Sequence, residues 1–457
     1  MTQDPRESLI DEFATVLAND PGALDPNDER YVPHLHGSDA EDQVRKLGTA
    51  IRRSEGSHLY YFSGQRGTGK STELRRLRVE LNGQPKVRAF MLDVLEYIGE
   101  NHPIQTIDLL FVTALAFADC LRQRDELNED LLKESVASRF GEWLKTDVEV
   151  TGLTVGGVKA DFKKRQQSIL QHIHSFDLAR GEKLMAECRE FIRQMAEIVR
   201  QRWRVEKVVL LVDSLERLRG VGDSAAAEMF ARVVQVFDGD REQLRLPEVQ
   251  VVYAVPPYLP YLTNVEQYVT LCKLATVRVC EPPAKAKRQP RSTGLELMRR
   301  VLDKRFARWA EVVSPEALDR LSLQSGGDLR QLLRRFLLDG VLDEATFALE
   351  RLPLAADDPI IETTLAKHRV IFESMVTRDE YPLLEMIGAS HALELPARKD
   401  WPTVARFFDI RAVLNYRNGV DWLDLNPLLW PLIDRHAAGS HGSTIPDATP
   451  PAAAASA

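Results

Sequence analysis

Eight residues, Gly64-Gln65-Arg66-Gly67-Thr68-Gly69-Lys70-Ser71, constrain this chain more than any other stretch. They follow a short apolar run, His58–Phe62, that reads as a buried strand, and they open a helical pattern beginning Ser71-Thr72-Glu73-Leu74. Glycines at 64, 67 and 69 let the backbone turn tightly and aim successive N–H groups at an anion, and the helix N-terminus adds its partial positive charge. Lys70 then reaches the β- and γ-phosphates of a nucleotide, and the Ser71 hydroxyl is placed to ligate Mg²⁺. A strand, loop and helix in this order predict an ATP–Mg²⁺ site formed by residues 64–72, and they require a parallel α/β sheet behind it.

That sheet is legible downstream. Nearly continuous apolar runs at His58–Phe62, Val87–Asp93, Lys207–Val212, Val249–Val255 and Ala275–Cys280 read as strands buried on both faces. Helical patterns lie between them at Ser71–Leu81, Thr106–Arg124, Gly181–Trp203 and Ala225–Phe237. The alternation predicts an α/β domain over 45–284 behind an N-terminal segment, 1–44. Within that domain, 125–180 is an insertion. Its stretch Asp147–Phe162 alternates around Gly156-Gly157 as a β-hairpin would, and Lys163-Lys164-Arg165 follows. A basic linker after Pro282-Pro283 leads into helical segments over 285–350, a further domain spans 351–436, and the tail from Ala437 has the Ala/Pro/Gly/Ser composition of disorder.

A second half of the site is expected in Lys207-Val-Val-Leu-Leu-Val-Asp213-Ser214-Leu-Glu216. Its apolar residues bury the strand and leave Asp213 at the carboxyl end, where open α/β sheets bind ligands. Asp213 would hold Mg²⁺ through water, and Glu216 is the nearest acid to orient or deprotonate an attacking water.

These residues together resemble the AAA+ and STAND branch of P-loop ATPases, similar to the origin-recognition ATPases, over roughly Tyr31 to Glu350. Ser325-Gly326-Gly327-Asp328-Leu329-Arg330 looks like the motif that opens a helix of that branch's small helical lid, and the resemblance makes Arg330 the sensor of the γ-phosphate. In two places the sequence departs from the pattern. Ser214 follows Asp213 where many members carry Glu, and Pro256-Pro257 ends the fourth strand where a polar sensor is usual. Both imply slow hydrolysis. The resemblance also implies an arginine supplied between subunits. Arg278 and Lys273 lie in a stretch, Lys273–Ala310, with 11 Lys/Arg against 3 Asp/Glu, whose alternative reading is a solvated linker.

Toward the C-terminus, helical patterns at Pro359–Thr377, Asp379–Leu393 and Trp401–Phe408 precede a hairpin signal, Ala412–Leu425, turning at Asn418-Gly419. A two-residue turn there would pair Leu414 with Leu423 and Ala412 with Leu425. Helices followed by such a wing predict a winged-helix-like domain. Residues 352–436 hold 9 Lys/Arg and 13 Asp/Glu, which opposes phosphate contacts and favours a protein partner over DNA. Trp401, Phe407, Phe408 and Trp422 are its candidate anchors, with domain core as their other use.

Composition excludes several classes. The 457 residues are 44% hydrophobic and 28% charged with net charge −8, as in a multidomain globular protein. Cys120, Cys188, Cys272 and Cys280 form no CxxC pair or His/Cys ligand cluster, so neither a disulfide framework nor a zinc site is expected. The polar start lacks a signal peptide's apolar core, and the most apolar stretch, Ile107–Leu121, is broken by Asp108 and Asp119. The expectation is a cytoplasmic, slow, ATP-driven switch that assembles or recruits a partner, with nucleotide-dependent self-association, in bacterial signalling or defence. A DNA-loading or DNA-remodelling ATPase and a non-hydrolysing nucleotide scaffold are the alternatives.

Overall fold

The computed structural model describes residues 4–38, 40–122, 142–143, 168–220, 222–282, 288–393 and 397–440. Five parallel strands form the central sheet: β1 (His58–Gly64), β2 (Val87–Asp93), β3 (Lys207–Asp213), β4 (Gln250–Val255) and β5 (Thr270–Leu274), in the order β2-β3-β4-β1-β5. Every residue of β4 is buried, as the apolar run Val251–Val255 requires, and the buried Gln250 that opens the strand donates to Ser54 O at 3.1 Å.

Strand order and handedness decide which helix covers which face. The β1-to-β2 step runs across the sheet in one direction and the later steps run in the other, so right-handed crossovers put their helices on opposite faces. On one face α3 (Lys70–Asn82) brings Leu74, Leu77 and Leu81 onto Tyr60 and Phe62, with α2 (Gln43–Arg53) beside it. On the other, α4 (Thr106–Arg122), α5 (Leu178–Trp203) and α6 (Asp223–Val234) cover Leu59, Tyr61, Phe90 and Leu210. Each fully buried leucine contributes about 2 kcal/mol, and Leu77→Ala would cost about 2–5 kcal/mol through the cavity it leaves.

The fifth strand is not the expected Ala275–Cys280 but the preceding Thr270–Leu274, paired with β1 from Tyr60↔Thr270 to Gly64↔Leu274. The 275–280 run is apolar because it is buried elsewhere. Thr276 N donates to Asn415 O at 2.9 Å, and the backbone at Val277 lies so close to Gly327 that a Cβ there would stand 1.9 Å from Val277 O.

Three helices, α7 (Ser292–Asp303), α8 (Pro315–Gln324) and α9 (Gln331–Leu342, with π-type hydrogen bonding), follow the sheet. The C-terminal region consists of α10 (Pro359–Glu373), α11 (Tyr381–Ser390), α12 (Trp401–Asp409), the antiparallel pair β6 (Val413–Arg417) and β7 (Asp421–Leu425), and α13 (Trp430–Ser440). Its hairpin register differs by one residue from the expected one: Leu414 opposes Asp424 and Val413 opposes Leu425. Asn418, Gly419 and Val420 form a three-residue loop with Gly419 at φ +89, in place of a two-residue turn. Both faces of the hairpin are consequently used. Val413, Leu423 and Leu425 join the main core, while Leu414, Tyr416 and Trp422 pack with Cys280. Phe407 and Phe408 are core residues as well.

The helix α13 continues to Ser440, past the expected start of the tail at Ala437; the rest of that tail and the Asp147–Phe162 hairpin with its basic run lie outside the described residues. Among the described residues no helix is long and apolar enough to cross a membrane.

Candidate functional site

Residues 64–71 form the loop between β1 and α3 at the carboxyl ends of the strands. Gly67 and Gly69 have φ of +94 and +86, a region in which L side chains are strained. Gly64 has a different reason to be glycine, since a Cβ would stand 2.9 Å from Leu274 O on β5. Gln65 O collects Lys70 Nζ at 2.7 Å and Thr68 Oγ1 at 2.8 Å, which closes the loop on itself.

Lys70 is buried and lies 3.4 Å from the Glu216 carboxylate. Burial pulls its pKa down, and Glu216 and Asp213 oppose that. Ser214 sits at φ +77, an uncommon conformation for a residue with a side chain, and the turn it makes carries Glu216 back beside Lys70. The pKa of the Asp213 carboxyl is pushed up to about 6 by burial and by the neighbouring Glu216, with the nearby Ser71 hydroxyl opposing. Asp213 Oδ1 and Glu216 Oε2 are buried without a hydrogen-bond partner among the described residues. Two unsatisfied carboxylate oxygens beside a hydroxyl form an oxygen donor set suited to Mg²⁺. β4 lies between β3 and β1, and at this level it offers only Val255, Pro256 and Pro257.

A cavity of about 420 Å³ opens over the loop, lined by residues 66–73, Glu216 and Arg217, by the N-terminal segment, and by Val301, Arg305, Leu329, Arg330, Leu333 and Arg334 of the helices that follow the sheet. Seven Arg and Lys side chains line it against three carboxylates, a surplus that a polyanion would neutralise. No protein-family model matches the chain, and no curated protein matches it. The chemistry of the site therefore rests on its geometry.

Arg330 is exposed on the cavity wall, where partial desolvation by the wall and the nearby Arg66 guanidinium lower its pKa. Its motif presses on the loop itself: a Cβ on Gly67 would lie 2.6 Å from Asp328 Oδ1 and 3.1 Å from Arg330 Cβ. Gly326 and Gly327, at φ +62 and +81, permit this approach, and Asp328 caps α9 through Gln331 N at 3.0 Å. Arg66 reaches Glu100 at 3.7 Å.

Neither candidate for an intersubunit arginine lines this cavity. Lys273 Nζ is held at 2.5 Å by both Glu266 and Asp421. Arg278 donates to Arg417 O at 3.2 Å and lines a separate cleft of about 580 Å³ with Arg291 and Arg300.

Two contributors carry no sequence signature. The first is the N-terminal segment. Leu24 N donates to Thr72 Oγ1 at 3.0 Å, Tyr31 Oη to Glu73 at 3.0 Å, and His36 Nδ1 meets Ala275 O at 2.7 Å, so Tyr31, Val32 and Leu35 form a wall of the cavity. Phe13 of α1 (Pro5–Ala18) stacks on Phe306 at 4.8 Å, and Arg305 pairs with Asp20 at 2.5 Å. The second is the C-terminal hairpin. Gln65 Nε2 donates to Val413 O while Gln65 Oε1 accepts from Asn415 N at 3.3 Å, so the loop's glutamine docks on the edge of β6 as a neighbouring strand's peptide group would. Arg411 adds an ion pair to Asp328 at 2.7 Å.

Proposed function

We propose that this chain binds ATP–Mg²⁺ at residues 64–72 and acts as a slow nucleotide-dependent switch of the AAA+/STAND type that recruits or assembles a protein partner. The observation that carries this reading is the cavity in which Lys70, Ser71, Glu216 and Arg330 converge on one glycine-rich loop, together with the unpartnered carboxylate oxygen of the buried Asp213 at the end of β3. In this reading the backbone N–H groups of 66–71 cradle the phosphates, and Lys70 exchanges Glu216 and Gln65 O for phosphate oxygens. Ser71 and Asp213 hold the metal ion, whose charge would favour the ionised form of Asp213. Helices α7–α9 serve as the lid, and the base stacks among Tyr31, Val32 and Leu35. The ion supplies charge neutralisation at the β- and γ-phosphates.

Glu216 is the acid placed to orient a water, and the apolar Val255–Pro257 corner offers no second polar group for that water. Turnover is accordingly slow. The switch follows from Gln65 and Arg330, because the loop that receives the phosphates is also the loop that holds β6 and the lid. A ligand that moves that loop has different affinities for the docked and undocked states, as any population shift requires.

Calorimetry with MgATP and the Lys70→Ala variant tests the assignment. Loss of binding is expected, and undiminished affinity would remove the site.

A further inference from the structure

Three side chains from separate parts of the sequence meet outside the nucleotide cavity. His102 belongs to the turn after β2, Asp108 to the first turn of α4, and His174 to the end of the helical segment 168–174. His174 Nε2 lies 2.9 and 2.8 Å from the two Asp108 carboxylate oxygens, and His102 Nε2 lies 3.3 Å from Oδ2. One ligand atom from each residue falls within 4.8 Å of the other two. We propose that His102, Asp108 and His174 bind a divalent transition-metal ion such as Zn²⁺, through the two Nε2 atoms and a carboxylate oxygen.

The donor chemistry is that of two imidazoles and one carboxylate, a set that takes zinc or iron and leaves further positions open to water. Metal–ligand bonds of about 2.0–2.2 Å in a tetrahedron separate ligand atoms by roughly 3.3 Å. The two nitrogen-to-carboxylate spacings lie within about half an ångström of this, and the two imidazole nitrogens, within 4.8 Å of each other, would close by no more than about 1.5 Å. The burial pattern also fits. Asp108 is fully buried while the rings retain 17% and 23% exposure, so an ion would have its charged ligand inside and its open positions toward solvent. Gln105 N donates to Asp108 Oδ2 at 2.9 Å, an outer contact that orients the carboxylate. Hydrogen bonding alone accounts for each pair separately. It does not require both rings to present the same nitrogen to one point.

The position gives the ion a task. His102 N donates to Gly99 O at 3.0 Å, and the Glu100 of that turn holds Arg66 at 3.7 Å and Arg219 at 3.4 Å. An ion at His102 would brace the turn whose carboxylate steadies an arginine of the anion-binding loop.

The full-length chain, stripped with a chelator and dialysed, is titrated with Zn²⁺ by calorimetry without nucleotide. Wild type should take up one equivalent at this site, His102→Ala and His174→Ala should each weaken it by more than about 10-fold, and hydrogen exchange at 99–108 should slow when the ion is added. Lys70→Ala should bind Zn²⁺ as wild type does, which separates this proposal from the nucleotide reading. No uptake by wild type, or an equivalent that persists in both histidine variants, would overturn it. Should a variant fail to fold by circular dichroism, Co²⁺ added to wild type decides: ligand-field bands of a nitrogen/oxygen site support the proposal, and their absence refutes it.

Discussion

Gln65→Ala probes the coupling between the glycine-rich loop of residues 64–71 and the C-terminal hairpin at a position where the GxxxxGK[ST] pattern accepts any residue. The backbone N–H groups of the loop remain, as do the Lys70 and Thr68 bonds to the residue-65 carbonyl. The side chain's bonds to Val413 O, Asn415 N and Thr276 Oγ1 disappear. Each such bond is worth about 1 kcal/mol net, and a buried backbone group left without a partner costs about 1–3 kcal/mol. Thr276 Oγ1 can turn elsewhere, so the two hairpin groups dominate and the docked arrangement should lose about 2–4 kcal/mol. A change of that size alters the docked-to-undocked ratio by roughly 30- to 1,000-fold. Hydrogen exchange read over 413–417 in the absence of nucleotide should accelerate by that factor wherever exchange proceeds through undocking, while β1 and β4 keep their protection. Unchanged exchange at 413–417 in a folded variant would refute the claim that Gln65 holds the hairpin.

Glu216→Gln should preserve MgATP binding in calorimetry and lower phosphate release by about 10²–10⁴-fold, the usual worth of a positioned base; unchanged release would place the base elsewhere. Arg330→Ala should lose about 10- to 100-fold of ATP affinity, the worth of a charge-assisted bond, and leave ADP affinity nearly unchanged, with ATP-promoted self-association blunted in light scattering. Equal losses for both nucleotides would show that Arg330 does not read the third phosphate. Burial pushes the Asp409 carboxyl up to about 8 from its ordinary 3.8, with Arg219 and Arg66 opposing. Between those values the unfolded chain is ionised while the folded one keeps its proton, so this group's contribution to stability is present at low pH and is lost as pH rises toward 8. Asp409→Asn should flatten that decline in denaturant midpoints measured across pH 4–8, and an unaltered slope would contradict it.

The sequence by itself determined the sheet's first four strands and the glycine-rich loop after the first, because both are local. A loop of glycines between an apolar run and a helix start has few other uses, and a doubly buried strand announces itself by continuous Val, Leu and Ile. Asp213 and Glu216 were legible for the same reason, as the polar end of such a run. The fifth strand was not, since Thr270–Leu274 carries Lys273 and is less apolar than the 275–280 stretch after it, which is buried against Gly327 and β6. Burial alone does not tell a strand from a tightly packed connection. The hairpin's register also needed the tertiary structure: both of its faces are covered, so no polar face marks the register, and the loop took three residues instead of two. Only the fold joined Gln65 to Val413 and Asn415, Tyr31 to Glu73, and His102 and Asp108 to His174. Those pairings span tens to hundreds of residues, and the partner of a side chain at such a distance is decided by how helices and strands pack, which no local pattern records.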